Sequence, residues 1–259
     1  MSDLDGVDWP RYLHDFHAAD PGVTEAVLSR AVAGDHTPYR WLCRAVSAEA
    51  RRVLDVACGN GPVARQLTGH FVVGVDLSAA ELSTAPRPVV RADASQLPFG
   101  NESFDAVTCS MGLAVAQPLP AVLEEIARVL RPGGVLAATV PAVRPVRRTD
   151  IPVLTGLATR LRSGPKFPGG DELSGLRDEL SAAGFNVLES QRERYGFPIA
   201  SRADADLLVR SMYLPATSAA RRTAAAAWLA ERAEAKGPFE VAIPIRRIVA
   251  MRGRPALAV

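Results

Sequence analysis

VLDVACGNGPVARQL, residues 53–67, is the stretch whose reading decides the fold of this chain. An apolar run from Val53 to Cys58, broken only by Asp55, meets Gly59-Asn60-Gly61, and a helix-like segment follows at once. A short buried strand that turns through glycines into a helix is the first unit of an open parallel sheet, with the turn facing a ligand. Read as GxGxxA through Gly59, Gly61 and Ala64, the turn fits a dinucleotide pyrophosphate. Read from Asp55 as D-x-A-x-G-x-G, it fits a loop built for a cationic ligand. The loop alone leaves both readings open.

Downstream the pattern alternates. A helix over 62–67 is expected after the glycines, then strands at 71–77 (FVVGVDL), 88–94 (PVVRADA), 104–111 (FDAVTCSM) and 135–141 (VLAATVP). A short, proline-stopped helix follows the second strand, SQLPFGNES has loop chemistry, and an amphipathic helix over 120–130 is stopped by Arg131-Pro132-Gly133-Gly134. Continuous apolar strands joined by helices of about ten residues predict a doubly wound, mostly parallel α/β sheet covered on both faces.

Ahead of this core, Trp9, Tyr12, Leu13 and Phe16 fall on one face of a helix, Asp20-Pro21 opens a second and Pro38 a third. Behind it come a helix over 171–184, a strand starting at 185 and helical sequence over 201–236 interrupted at Pro215. The last strand, 239–254, contains Pro244, which predicts a position toward the sheet edge because proline lacks a ladder donor. The expected organisation is a helical lid over residues 1–48, a core over 49–200, a helical insertion over 201–237 and the final core strand over 238–259.

The chain has 259 residues, 48% hydrophobic and 22% charged, with a formal net charge of +2. That balance gives no electrostatic case for a nucleic-acid partner. Cys43, Cys58 and Cys109 are scattered, without CxxC spacing, which argues against a disulfide framework or zinc site and suits a reducing cytoplasm. The acidic N-terminus lacks an apolar core of signal-peptide length, and no apolar run reaches the ~18 residues of a membrane span. The expectation is a soluble cytoplasmic protein, monomeric or homodimeric, with no membrane or metal requirement.

In an open parallel sheet, ligands sit outside the carboxyl ends of the strands near the switch point. Those ends carry Asp55 to Gly61, Asp76-Leu77-Ser78, Asp93-Ala94 and Ser110-Met111-Gly112. Asp76 stands where a carboxylate can accept both hydroxyls of a ribose, and Asp93 where one can accept from an adenine amine. Asp55 is out of place beside a pyrophosphate, where it would set negative charge against negative charge, but is favourable to an ammonium or sulfonium.

The ordered set VLDVACGNG, GVDLS, ADASQLPFGNESFDAV and EEIARVLRPGGVL resembles the class I S-adenosylmethionine-dependent methyltransferases, nearest the ubiquinone/menaquinone-biosynthesis and small-molecule branch. The motifs cover residues 50 to 142 in family order. The resemblance implies a Rossmann-like seven-stranded sheet with a reversed last strand, and S-adenosyl-L-methionine as cofactor. It places Asp55, Ala57, Gly59, Asn60 and Gly61 at the methionine end, Asp76 and Leu77 at the ribose, Asp93 and Ala94 at the adenine, and Ser110 beneath the cofactor. Ala57 stands where many members have glycine.

The implied activity is O-, N- or C-methylation of a small, partly apolar metabolite. CSMGLAVAQP at the fourth strand lacks the [DNS]PP[YFW] tetrapeptide of amino-methylating DNA and glutamine methyltransferases. Tyr12 and His17 are the candidate catalytic residues, with His17 as a general base. Tyr39 and Arg40 are candidates for the cofactor carboxylate. The arginines of RPVRRTD, RLRSGPK and IPIRRIVAMRGR read as separate solvated faces, and Cys58 and Cys109 as packing residues. A nicotinamide-dependent oxidoreductase and a non-catalytic cofactor-binding protein are the alternatives. The first leaves Asp55 and the Asp93 segment unexplained.

Overall fold

The runs rich in Val, Ile and Phe form seven strands: β1 Arg52–Val56, β2 Phe71–Asp76, β3 Val89–Arg91, β4 Phe104–Ser110, β5 Leu130–Pro141, β6 Phe185–Ile199 and β7 Phe239–Arg252. The computed structural model describes residues 6–253 apart from 171, 172 and 174. The strands make one sheet in the order β3-β2-β1-β4-β5-β7-β6. β1 to β5 pair in parallel, while β7 runs antiparallel to both β5 and β6. The chain reverses its direction of travel across the sheet between β1 and β4, which places a ligand crevice above their carboxyl ends.

Alternate residues of each strand point to opposite faces, and both faces are dry. On one, Val53, Ala106, Ala137 and Ile245 pack with helices α2 (Val23–Leu28), α3 (Pro38–Cys43), α6 (Ile151–Leu161), α8 (Arg202–Arg210) and α9 (Ala219–Lys236). On the other, Leu54, Val107, Leu136 and Ala138 meet α5 (Leu119–Val129) and α7 (Leu176–Ala182). Two covered faces account for the absence of apolar–polar alternation in the central strands. The remaining helices are α1 (Trp9–Ala19), which has no buried residue, and the single-turn α4 (Ala79–Leu82).

Four sequence expectations change. The helix over 62–67 is a run of turns holding two helical hydrogen bonds, Arg65 N–H to Gly61 O and Leu67 N–H to Val63 O. β7 is an inner strand, and β6 is the edge. Pro244 is tolerated because β5 ends opposite Ile245, and the Pro244 carbonyl accepts from Ala142 N–H just beyond. In an antiparallel ladder a residue's N–H and C=O point the same way, so the missing donor faces the side where the ladder has stopped.

α6 lies in a stretch for which the sequence suggested no element. Val153, Leu157 and Leu161 give it a buried stripe, and Gly156 lets α9 approach: a Cβ there would stand 2.4 Å from the Trp228 ring. Of the expected helix over 171–184, only α7, Leu176–Ala182, forms, with Leu173 in a left-handed conformation (φ 47°) ahead of it; residues 171, 172 and 174 lie outside the described ones.

Arg246 and Arg247 of IPIRRIVAMRGR do not form a solvated face, and Arg254 lies outside the described residues. Arg246 and Arg247 are buried; the Arg247 guanidinium lies 4.5 Å over the Trp41 ring and pairs with Glu189, and Arg246 donates to Ser190. Arg194 of β6 reaches Asp150 at 2.7 Å and Glu240 at 3.0 Å, tying the entry of α6 to the edge hairpin.

Candidate active site

The crevice above β1, β2 and β4 is a cleft of about 330 Å³. After Val56 the backbone enters left-handed conformations at Ala57 (φ 54°) and Gly59 (φ 53°). Cys58 N–H meanwhile donates to Val75 O, continuing the β1–β2 ladder. The family's glycine position is thus held by an alanine in a conformation that glycine adopts at lower cost. The Ala57 methyl is also why residue 112 is glycine: a Cβ on Gly112 would come within 2.5 Å of it. Gly61 (φ 83°) serves packing in the same sense, since a Cβ there would strike Pro86 at 2.5 Å. It does not line the cleft and packs instead against the chain after α4.

Asp76 closes the rim of this loop. Its Oδ2 accepts Gly59 N–H and its Oδ1 accepts Ser78 N–H, each at 2.8 Å. Burial raises its pKa, and those two N–H groups oppose the rise. Asp55 is 1% exposed; Oδ1 accepts from the Thr108 hydroxyl at 2.8 Å, and Oδ2 is buried without a partner. Burial pushes its carboxyl up to about 7, against the Thr108 hydrogen bond and with a further push from the Asp76 charge. Asp93 accepts from the Ser95 N–H and hydroxyl, and Ser110 lies 3.3 Å from the Thr139 hydroxyl.

Asp55, Ala57, Gly59, Asn60, Asp76, Leu77, Asp93, Ala94, Ser110 and Tyr39 all line the cleft. Arg40 does not: α3 points it outward, where it is exposed and the buried Tyr39 alone faces inward. Tyr12 is also outside the lining. Its hydroxyl accepts Leu214 N–H at 2.7 Å and its ring meets Tyr213 edge-on, so it braces the wall from behind. His17 lines the cleft. Cys58 and Cys109 are buried packing thiols, with Cys109 pushed up to about 12 by burial.

Two site residues escaped the sequence reading. Glu81, 4% exposed, accepts from Gly22 N–H and lies 2.9 Å from His17 Nδ1; His17 Nε2 lies 3.0 Å from the Tyr213 hydroxyl. A carboxylate only accepts, so Nδ1 carries a proton toward Glu81, and a ring protonated there alone leaves Nε2 to accept the Tyr213 O–H. Ser78-Ala79-Ala80-Glu81 has the spacing of a capping box, which gives Glu81 an ordinary helix-start explanation. Only half of that box forms: Glu81 N–H donates to the Ser78 hydroxyl, while the carboxylate turns to α1. Tyr213, between α8 and α9, carried no local signal at all.

The charge of the cleft is one-sided. Glu25, Asp55, Asp76, Glu81 and Asp93 line it, and no lysine or arginine does among the described residues. Such a site repels a pyrophosphate and attracts a cation.

Residues 54–138 match the family model described as a methyltransferase domain. This segment belongs to that family. The segment spans β1 through most of β5, the part of the sheet that forms the cleft.

The chain is 42% identical over 118 residues to a demethylmenaquinone methyltransferase of Mycobacterium sp. (strain KMS), covering 43% of this chain and 50% of that protein. It therefore spans about half the length of the curated relatives it matches. Among solved structures, a putative methyltransferase from Bacillus halodurans superposes with a TM-score of 0.56 at 20% identity, over 84% of this chain and 99% of that one. The [4+2]-cyclase SpnF superposes at 0.54 and 20% identity, over 95% and 93%. Both likenesses establish the methyltransferase-type fold around the domain. The presence of a cyclase among them illustrates why chemistry has to be argued from the site.

Proposed function

We propose that the chain is an S-adenosylmethionine-dependent methyltransferase acting on a small, partly apolar metabolite. The observation that carries this reading is the anionic cleft, in which the buried Asp55 has an oxygen with no partner. A buried carboxyl oxygen without a partner is costly, and a ligand ammonium would satisfy it and favour the ionised form. The residues present therefore fit the cofactor.

Asp55 would hold its amino-acid end, Asp76 would accept from the ribose hydroxyls with the lone pairs left over from Gly59 and Ser78, and Asp93 would face the adenine. When bound, S-adenosylmethionine would supply a sulfonium-activated methyl for an acceptor lone pair, with S-adenosylhomocysteine as its product. The chain's task is then to align the acceptor, exclude water and receive a proton. His17 would take that proton on Nε2, with Glu81, 2.9 Å from Nδ1, fixing the ring and stabilising the imidazolium. α1 to α3, with α8 and α9, would cover the reacting groups. The curated relatives act, by name, on demethylmenaquinone, which supports an apolar acceptor here.

Calorimetry against S-adenosylmethionine and NAD, followed by methyl-labelled cofactor in a metabolite extract, tests the reading. Binding of the first ligand alone, with label appearing in an extracted metabolite, is the expected outcome. Binding of NAD instead, or cofactor binding without transfer to any component, would overturn it.

A further inference from the structure

A second cavity, about 470 Å³, lies beside the cleft and has the opposite chemistry. Leu154, Leu157 and Leu161 of α6 form one wall, Val241 and Ile243 of β7 another, and Leu208 of α8 a third. Lys166 is the one charged residue of its lining among the described residues. The volume is that of a small-molecule site, ~300–1,000 Å³. An apolar hollow of this size offers little to a sugar, a nucleotide or a charged metabolite, whose hydration would be lost without replacement.

The two cavities share a wall. Thr24, Met111 and Tyr213 line both. At that wall the Tyr213 hydroxyl is joined through His17 to the buried Glu81. Met111 holds its place in a left-handed conformation (φ 63°) at the end of β4, directly before Gly112. An apolar chamber thus ends at a polar chain of residues, and the cationic-ligand cleft lies on the other side of the same three side chains.

We propose that the second cavity is the acceptor site, built for an uncharged apolar body carrying one hydroxyl or amine that meets Tyr213 at the shared wall. The proposal rests on the methyl-transfer reading and deepens it by naming the acceptor's class. The acceptor O–H or N–H donates to the Tyr213 oxygen, and the Tyr213 proton passes to His17 Nε2. The acceptor's freed lone pair forms the bond to the methyl carbon as the carbon–sulfur bond breaks. The imidazolium left on His17 returns its proton through Tyr213 to solvent after product leaves. The apolar walls hold the rest of the molecule by burial alone, at roughly 25 cal/mol per Å² of surface removed from water. Affinity should therefore grow with the acceptor's alkyl length until the chamber is full.

The test uses 4-butyl-, 4-hexyl- and 4-octylphenol as probes, titrated calorimetrically into the full chain alongside S-adenosylhomocysteine. In the wild type, affinity is expected to rise along the series. Ala242→Phe fills the chamber from the buried side. Ala158→Phe fills it from an exposed position of α6, where folding is not at stake. Both should weaken the longer phenols at least tenfold and leave S-adenosylhomocysteine affinity unchanged.

Failure of every probe to bind the wild type, or equal binding to Ala158→Phe, would overturn the chamber assignment. Failure of S-adenosylhomocysteine to bind, with the phenol pattern intact, would instead remove the methyl-transfer reading. Methyl transfer to an acceptor that Ala158→Phe and Ala242→Phe use as well as the wild type does would place the acceptor elsewhere.

Discussion

Through Asp55, pH is expected to act on both stability and ligand binding. Its carboxyl ionises near 7 in the folded chain against an ordinary 3.8. Below the ordinary value both states are protonated. As pH rises from there toward 7 the unfolded chain gives up its proton first, so the ligand-free fold loses stability over that interval, by up to about 4 kcal/mol. Asp55→Asn is expected to melt higher than the wild type at pH 8, with the difference closing by pH 4.

The same substitution should weaken S-adenosylhomocysteine binding and flatten its pH dependence, whereas wild-type affinity rises between pH 6 and 8; parallel calorimetric profiles would refute this. His17→Ala is a separate case. It should lower turnover by about 10²–10⁴, the usual worth of a general base, with S-adenosylhomocysteine affinity nearly unchanged, and unaltered turnover would remove the base assignment. Asp55, Asp76 and Asp93 were legible in the sequence because each stands at a strand end, a position that local patterning marks. Arg40 and Tyr12 fall outside the cleft lining, because local sequence does not say which of two neighbouring helix positions packing turns toward the cleft.

Among the elements, α6 shows how packing overrides local propensity. Thr155, Gly156 and Thr159 weaken the helix signal of this stretch, yet Gly156 is what admits the Trp228 ring. Gly156→Val adds volume at a 2.4 Å approach and a β-branched residue to a helix, so both effects have the same sign. A loss of about 1–3 kcal/mol is expected, read as a lower melting temperature. Gly69→Val, with no atom near the added Cβ, should change little.

The parallel strands β1 to β5 were readable because a sheet covered on both faces selects continuous apolar runs. The inner position of β7 was not. Pro244 is a local warning that the ladder partner's length cancels, and that length belongs to β5. The turns after β1 likewise replace a helix that the motif led one to expect, because only Val63 and Leu67 find places in the core.

At the scale of the whole molecule, α1 is held by side-chain contacts at the cleft, to Glu81, Tyr213 and Leu214, and not by a buried apolar face. It has no buried residue, yet Trp9, Leu13, His14 and His17 line the cleft. An element with so little buried apolar area opens at low cost. Its amides should exchange hydrogen faster than those of β1, β4 and β5 in the free chain and slow markedly when S-adenosylhomocysteine binds. Unchanged exchange would mean that α1 does not act as a cover.

What the sequence determined by itself was the sheet, the crevice above it and the three carboxylates at its strand ends. Each is written in short-range order: apolar runs, glycine turns and acids at strand ends. Only the tertiary structure decided the Glu81–His17–Tyr213 chain and the apolar chamber behind it. His17 meets Glu81 across 64 residues and Tyr213 across 196. No local pattern encodes such meetings, because they arise from where α1, α4 and the segment after α8 come to rest on the folded sheet.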